Sequence, residues 1–157
     1  MKIATGILLT IAYRLALIYW RLVRPNTFGA FVAVWHNEQI LTIKNSYKPQ
    51  WTFPGGGVKS TESPIQAATR ELLEEVGIEV DSTSLSRVEQ FICRSEFKKD
   101  HATAFEVNLD TEPNLKIDGF EVVKAKFISL QELIQRRHEF TETVNCYLDW
   151  KLAQSEN

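Results

Sequence analysis

Cysteine is nearly absent from this 157-residue chain, which holds only Cys93 and Cys146. Neither belongs to a Cys-x-x-Cys or Cys/His pattern, so a disulfide framework and a structural zinc site are both excluded. Free thiols in a reducing compartment follow, and with them the expectation of a cytoplasmic protein. Seven glycines and five prolines are too few for linker, collagen-like or low-complexity sequence. Acidic residues are missing altogether from positions 1–37, where Lys2, Arg14, Arg21 and Arg24 carry the only formal charges. The other 120 residues hold 14 basic and 20 acidic side chains, a net charge of −6. Such a body repels phosphate backbones, which disfavours general nucleic-acid binding, and no nucleic-acid partner is expected. It suits a carboxylate-rich cation site, which brings its own positive charge when loaded. The length fits one domain that buries about two thirds of its unfolded surface.

Long apolar runs are also lacking, with one exception. Residues 3–23 read IATGILLTIAYRLALIYWRLV, long enough as a helix to span a bilayer. Arg14 at the centre costs about 2.5–3.5 kcal/mol on an insertion scale, while ten Leu, Ile and Val residues return roughly 3–6 kcal/mol. Hydropathy alone is therefore indecisive. At 100° per residue, Lys2, Thr10, Arg14, Arg21 and Arg24 gather in one sector, opposite Ile11, Leu15, Ile18 and Leu22. The segment reads as an amphipathic helix with a basic stripe. Packing on its own domain or across a homodimer is the expected use, and peripheral attachment to a membrane is the alternative. No small-x-small site follows the run, so removal as a signal is not expected.

Beyond Arg24-Pro25-Asn26, where proline stops the helix, β-branched and aromatic residues mark a hairpin from Phe28–His36 and Gln39–Ile43. Trp51-Thr52-Phe53 forms a short strand before Pro54 and three glycines. Ser63, Pro64 and Gln66 make an N-cap, a first-turn proline and a capping box, and Gly77 closes that helix. Strands at 85–94, 102–109 and 121–128 follow, then helical patterns at 130–137 and 142–153. Strands flanked by helices on this scale make one α/β sandwich.

The helix after the glycines carries the chemistry. Glu71, Glu74, Glu75 and Ile78 fall at i, i+3, i+4 and i+7, so the three carboxylates share a face. Ile65, Ala68, Leu72, Leu73 and Val76 supply the apolar stripe opposite, which leaves the carboxylates on the exposed side. Three like charges on one stripe, with Arg70 as the only nearby cation, repel one another until a divalent cation relieves them.

Residues 56–78, GGVKSTESPIQAATRELLEEVGI, resemble the Nudix box, G-x5-E-x7-R-E-U-x-E-E-x-G-U with U bulky and apolar. Gly56, Glu62, Arg70, Glu71, Leu72, Glu74, Glu75, Gly77 and Ile78 fill every specified position. Chance agreement on this scale is on the order of one in ten million at average residue usage. The likeness covers most of residues 26–137, and the expected layout is an N-terminal helix over 1–24 and a Nudix hydrolase domain over 25–157.

That resemblance implies an α/β/α sandwich with a mixed sheet. It also implies Mg²⁺- or Mn²⁺-dependent hydrolysis of a phosphoanhydride bond in a nucleoside diphosphate linked to another moiety, such as a nucleoside triphosphate, ADP-ribose or a sugar nucleotide. By the same resemblance Glu74 and Glu75 are metal ligands, Glu71 is a ligand or the general base, and Arg70 holds a carboxylate in place. Catalytic roles thus fall to Glu71, Arg70 and Glu74. Gly55 matches the glycine whose carbonyl reaches the metal, while Glu62 and Gly77 support the site. A further acid from outside the box is expected, and Glu121 is chosen over Glu96, Asp100, Glu106 and Asp118.

Trp51, Gly56 and Arg94 are the substrate-binding candidates, with Phe28, Lys98, Lys99 and His101 as further groups near the substrate. Simpler roles compete: Trp51 packs on the glycine loop, Lys98-Lys99-Asp100 forms a solvated hairpin tip, and His36 is exposed in a turn. The chain lacks an SQPWPFP-like motif after the box, a proline in Cys93-Arg94-Ser95 near where the ADP-ribose subgroup carries one, and a tyrosine near where dinucleoside polyphosphate hydrolases carry theirs. These absences weaken the reduced-dinucleotide, ADP-ribose and dinucleoside-polyphosphate subgroups respectively. A Nudix-fold module that binds nucleotide without cleaving it is the alternative, which degenerate glutamates would have favoured.

Overall fold

The computed structural model describes residues 2–155, with side chains from residue 6 onward. Helix α1 (Lys2–Val23) leads into β1 (Asn26–His36), β2 (Gln39–Asn45), β3 (Trp51–Thr52) and β4 (Gly55–Gly57). Then come α2 (Pro64–Val76), β5 (Ser86–Cys93), β6 (Lys99–Asn108), β7 (Val122–Ser129), α3 (Leu130–Gln135) and α4 (Glu142–Ser155). The strands form one mixed sheet in the order β3-β2-β1-β6-β5, with β4 also on β1 and β7 also on β2. Only β1 and β6 run parallel; the other pairings are antiparallel.

Strand β1 is central because both of its faces are apolar. Ala30, Val32 and Val34 face the cluster built on Ala67, Ala68, Leu72 and Val76 of α2. Phe31 and Ala33, pointing the other way, join Phe53, Leu133, Val144, Tyr147 and Leu148. Two cores on one sheet make the expected α/β/α sandwich. Asn37 and Glu38 adopt left-handed backbone with φ of 46° and 60°, matching the two-residue hairpin turn that joins β1 to β2.

Three expectations need correction. Leu73 is 52% exposed, because it lies a full 100° from Leu72 and outside the stripe that α2 presents to the sheet. His36 is half-buried, its Nδ1 2.9 Å from the Leu109 carbonyl and its ring edge-on to Phe127. The 98–100 segment is not a solvated tip, since the Lys98 and Asp100 side chains are only 16% and 19% exposed.

Helix α1 covers that tip, although not as its amphipathicity predicts. The Tyr13 hydroxyl donates to Glu96 at 2.6 Å, the Tyr13 and Tyr47 rings stand 5.2 Å apart, and Lys98 Nζ lies 4.4 Å from the Trp20 ring centroid. Aromatic and polar side chains thus make the contact, while Leu15, Ile18 and Leu22 remain 61%, 59% and 80% exposed. Nor are the arginines opposite these residues: Arg14 and Arg21 are the i−4 and i+3 neighbours of Ile18, and both are exposed. Of the basic sector, the side chain of Lys2 lies outside the described residues.

Candidate active site

Local sequence fixes α2 at both ends. The Ser63 N–H donates to Gln66 Oε1 at 2.8 Å, and the Ser63 hydroxyl reaches the same oxygen at 3.0 Å. Gly77 is left-handed at φ 69°, so its N–H and that of Ile78 turn back to the Leu73 and Leu72 carbonyls. Between these caps the helix projects its glutamates toward the turn ahead of it, which β4 pins to β1 through Gly29–Gly57, Ala30–Gly56 and Phe31–Gly55.

Glycine is required twice in that turn. A Cβ at Gly55, where φ is 155°, would lie 2.4 Å from the Ala30 carbonyl oxygen. At Gly56 it would lie 2.4 Å from Glu71 Oε1. Both are far inside van der Waals contact, so backbone and carboxylate approach closely only because side chains are missing.

Arg70 gathers the polar side of α2. Its Nε and Nη2 grip Glu62 at 3.1 and 2.7 Å, Nη1 reaches Glu71 at 2.6 Å and Glu74 at 3.1 Å, and Nη2 also donates to the Gly57 carbonyl. The fork on Glu62 is the bidentate pairing that suits guanidinium and carboxylate. It holds the Glu62 carboxyl down at about 2.

The three helix carboxylates differ in exposure, which corrects the expectation of a uniformly exposed face. Glu74 has 56% of its side chain exposed and Glu71 15%, whereas Glu75 as a residue is buried at 6%. The Gly55 turn is responsible: its N–H donates to Glu75 Oε2 at 2.8 Å. Burial pushes the Glu75 carboxyl up to about 8 against that hydrogen bond, and the nearby charges of Glu71 and Glu121 push the same way. Glu71 is also raised, by burial first, with Arg70 opposing.

Glu121 immediately precedes β7, beside the end of β2. Its backbone carbonyl accepts from the Ser46 N–H at 2.8 Å, and its carboxylate accepts from the Tyr47 hydroxyl at 2.9 Å. It raises both Glu71 and Glu75 electrostatically, so the structure brings Glu71, Glu75 and Glu121 into one neighbourhood. The competing acids are engaged elsewhere. Glu96 pairs with Tyr13, Lys48 and Lys98, Asp100 accepts from Thr27, Glu106 holds Tyr147 and Lys151, and Asp118 caps the backbone N–H groups of residues 120–122.

The donor set fits a hard divalent cation: carboxylate oxygens, mutually repelling, beside a glycine turn of open backbone. As they stand, no three acidic or imidazole side chains converge into a ready cage among the described residues. Arg70 draws Glu71 and Glu74 to itself, and Glu75 is turned to Gly55.

The remaining candidates make other contacts. Trp51 is half-buried against the second core with Lys126 Nζ 5.0 Å from its ring centroid, and its carbonyl accepts from Thr141. Arg94 is exposed and its backbone N–H is held by Glu142. Phe28 stacks on His101 at 5.0 Å. A cavity of about 1000 Å³ between Trp35–Gln39, Asn108–Asp110 and Ser129–Gln131 shares no lining residue with the carboxylates. Sequence reasoning missed Tyr47 and Asn45, which contact Glu121 and Glu75; both lie just where β2 ends, with no spacing that marks them.

A family model for the NUDIX domain matches residues 25–150, and the chain belongs to that family. A putative 8-oxo-dGTP diphosphatase of Bacillus subtilis (strain 168) is 50% identical over 52 residues, 32% of this chain and 35% of that protein. An RNA pyrophosphohydrolase of Psychromonas ingrahamii is 40% identical over 62 residues, 40% of this chain and 33% of that protein. The chain thus spans about a third of these curated relatives. Among solved structures, a C. elegans Ap4A hydrolase binary complex superposes with a TM-score of 0.68 at 21% identity, covering 83% of this chain and 98% of that one. A Francisella tularensis bifunctional NMN adenylyltransferase/ADP ribose pyrophosphatase with AMP and a Mn ion gives 0.70 at 21%, covering 93% of this chain and 48% of that one. At these identities the structural likeness speaks to the fold.

Proposed function

We propose that this chain is a divalent-metal-dependent hydrolase that cleaves a phosphoanhydride bond in a nucleoside diphosphate linked to another moiety. The observation that carries the reading is the meeting of Glu71 and Glu75 of α2 with the Gly55–Gly56 turn and Glu121. Carboxylates that push one another toward the protonated form are costly to ionise without a cation, and the buried Glu75 carboxyl most of all.

Glu71, Glu75, Glu121 and the Gly55 carbonyl would hold Mg²⁺ or Mn²⁺, with Glu74 at the exposed margin. When bound, such a cation screens diphosphate oxygens and lowers the pKa of a coordinated water. The chain's own residues do the rest. Arg70 orients Glu71 and Glu74, and its fork on Glu62 keeps the guanidinium from swinging away. Glu71, raised by burial and less buried than Glu75, is the carboxylate assigned to take a proton from water. The absence of a side chain at Gly56 is what lets the Glu71 carboxylate stand against the backbone of the turn. The 8-oxo-dGTP and RNA named for the curated relatives are both nucleotide-type, which supports the substrate class without narrowing it.

The test is a panel of nucleoside triphosphates, ADP-ribose, sugar nucleotides and dinucleoside polyphosphates, each with Mg²⁺, Mn²⁺ or chelator, read as release of phosphate, pyrophosphate or nucleoside monophosphate. Cleavage of at least one member that stops with chelator is expected. Tight nucleotide binding with no turnover under any metal would make this a binding module instead.

A further inference from the structure

Helix α1 has two unlike faces, and only one of them is used. Its inner face is fixed to the domain by Tyr13 on Glu96 and Trp20 under Lys98, while at the margin between the faces the exposed Arg21 guanidinium lies 5.5 Å from the ring centroid of the half-exposed Phe97. The chain then turns sharply: Arg24 is left-handed at φ 48°, its N–H still bonded to the Trp20 carbonyl at 2.7 Å, and the Pro25 carbonyl accepts from Lys99 at the start of β6. The C-terminal half of the helix, from Tyr13 onward, is therefore laid against the domain.

The outer face is a continuous apolar ridge. Ile7, Leu8, Ile11, Leu15, Ile18 and Leu22 are 50–80% exposed and recur at the three- and four-residue spacing that stacks side chains on one side. Residues Gly6–Val23 are apolar and long enough to cross a membrane, and none of them is buried. Soluble monomers rarely leave so long a ridge uncovered.

Charge decides among the surfaces that would cover it. Arg14 and Arg21 lie on the ridge's edge and Arg24 at its end, all exposed, and the first acidic residue of the chain is Glu38. A second copy packed ridge to ridge would bring arginines together with no carboxylate on either helix to offset them. A membrane-spanning pose would carry Arg14 toward the bilayer centre and break the Tyr13–Glu96 and Trp20–Lys98 contacts. An anionic headgroup layer answers both demands, since acyl chains take the ridge and phosphates take the guanidinium groups at its edge.

We propose that α1 seats this protein on an anionic membrane surface, lying in the plane of the interface with its apolar ridge inward and Arg14, Arg21 and Arg24 among the headgroups. This rests on α1 alone and stands whether or not the carboxylate site hydrolyses nucleotides.

Co-sedimentation of the full chain with phosphatidylcholine vesicles, with and without about a third phosphatidylglycerol, tests it. Binding at least about tenfold stronger to the anionic vesicles, weakened by salt, is expected. The double substitution Leu15→Glu/Ile18→Glu alters exposed positions only and should abolish binding while circular dichroism and Tm stay unchanged. Arg14→Glu should weaken binding about fivefold or more and flatten its salt dependence. Equal binding to neutral and anionic vesicles, or none to either, overturns the proposal. So does a dimer in light scattering that Leu15→Glu/Ile18→Glu dissociates, since a second copy then covers the ridge. Retention in membranes through alkaline carbonate washing of cells would show a spanning helix and overturn the in-plane seat.

Discussion

The backbone N–H of Gly55 donates to Oε2 of Glu75 across 2.8 Å, joining residues twenty apart in sequence. The bond ties the turn before α2 to the one buried carboxylate of that helix. Its consequence is electrostatic. A carboxyl with so little water stays ionised at neutral pH only if something positive is brought to it, and without that it is pushed up to about 8.

Glu75→Gln should therefore lower kcat at least about tenfold while leaving the fold intact. In chelator its Tm should stay close to that of the unaltered protein, because the amide replaces a buried carboxyl that is mostly protonated when no cation is bound. Mg²⁺ at about a hundred times its Kd adds roughly 2.7 kcal/mol to a site it binds only when folded. For a chain of this size that is a rise of about 5–10 °C in Tm. The rise should vanish in Glu75→Gln, and an equal rise in both proteins would place the cation elsewhere.

The glycines of the turn give a paired test. Gly56→Ala sets a methyl 2.4 Å from Glu71 Oε1, so the carboxylate must move and activity should fall by about tenfold or more. Gly57→Ala meets nothing within 4 Å and should keep nearly full activity. Comparable losses in the two, with both folded, would mean that the turn acts through its flexibility and not through the close approach to Glu71.

Arg70 and Glu62 link the site to acid stability. The Glu62 carboxyl sits at about 2 against an ordinary 4.5, a depressed value. Its contribution to stability is thus complete above pH 4.5 and is lost as the pH falls toward 2. Glu62→Gln should show a lower urea midpoint than the unaltered protein at pH 7, and the gap should narrow steadily below pH 4.5. A gap that is the same at pH 7 and at the lowest pH where both fold would separate Glu62 from the linkage.

How much of this was legible beforehand depended on whether it was local. The caps at Ser63 and Gly77 and the strand at Phe28–His36 are set by residues within one element, and each is where those residues put it. The burial of Glu75 was not legible, because it comes from a turn that β1 holds in place and not from anything within α2. Nor was the seat of α1: amphipathicity marks an apolar face, but Tyr13 and Trp20 on the other side find Glu96 and Lys98, some eighty residues away. Glu121 was picked from five acids by resemblance. What distinguishes it physically is Tyr47, a residue that no motif marks.

Tyr47 stands between two parts of the molecule. Its hydroxyl donates to the Glu121 carboxylate at 2.9 Å, and its ring lies 5.2 Å from that of Tyr13 on α1. Burial keeps the phenol well above its ordinary value, so it donates throughout the working pH range and never competes as a charge. Tyr47→Phe preserves the ring contact and removes only the hydrogen bond, which for a charged acceptor is worth about 1.5–3 kcal/mol. Part of that is recovered by water at exposed Glu121, so a loss of about three- to tenfold in kcat/KM is expected. The metal-induced rise in Tm should shrink with it, while the Tm in chelator changes little. Tyr47→Leu, which also removes the ring, should lower the chelator Tm as well by loosening α1. If Tyr47→Phe keeps full activity and an undiminished metal response, Glu121 does not depend on this hydroxyl for its position.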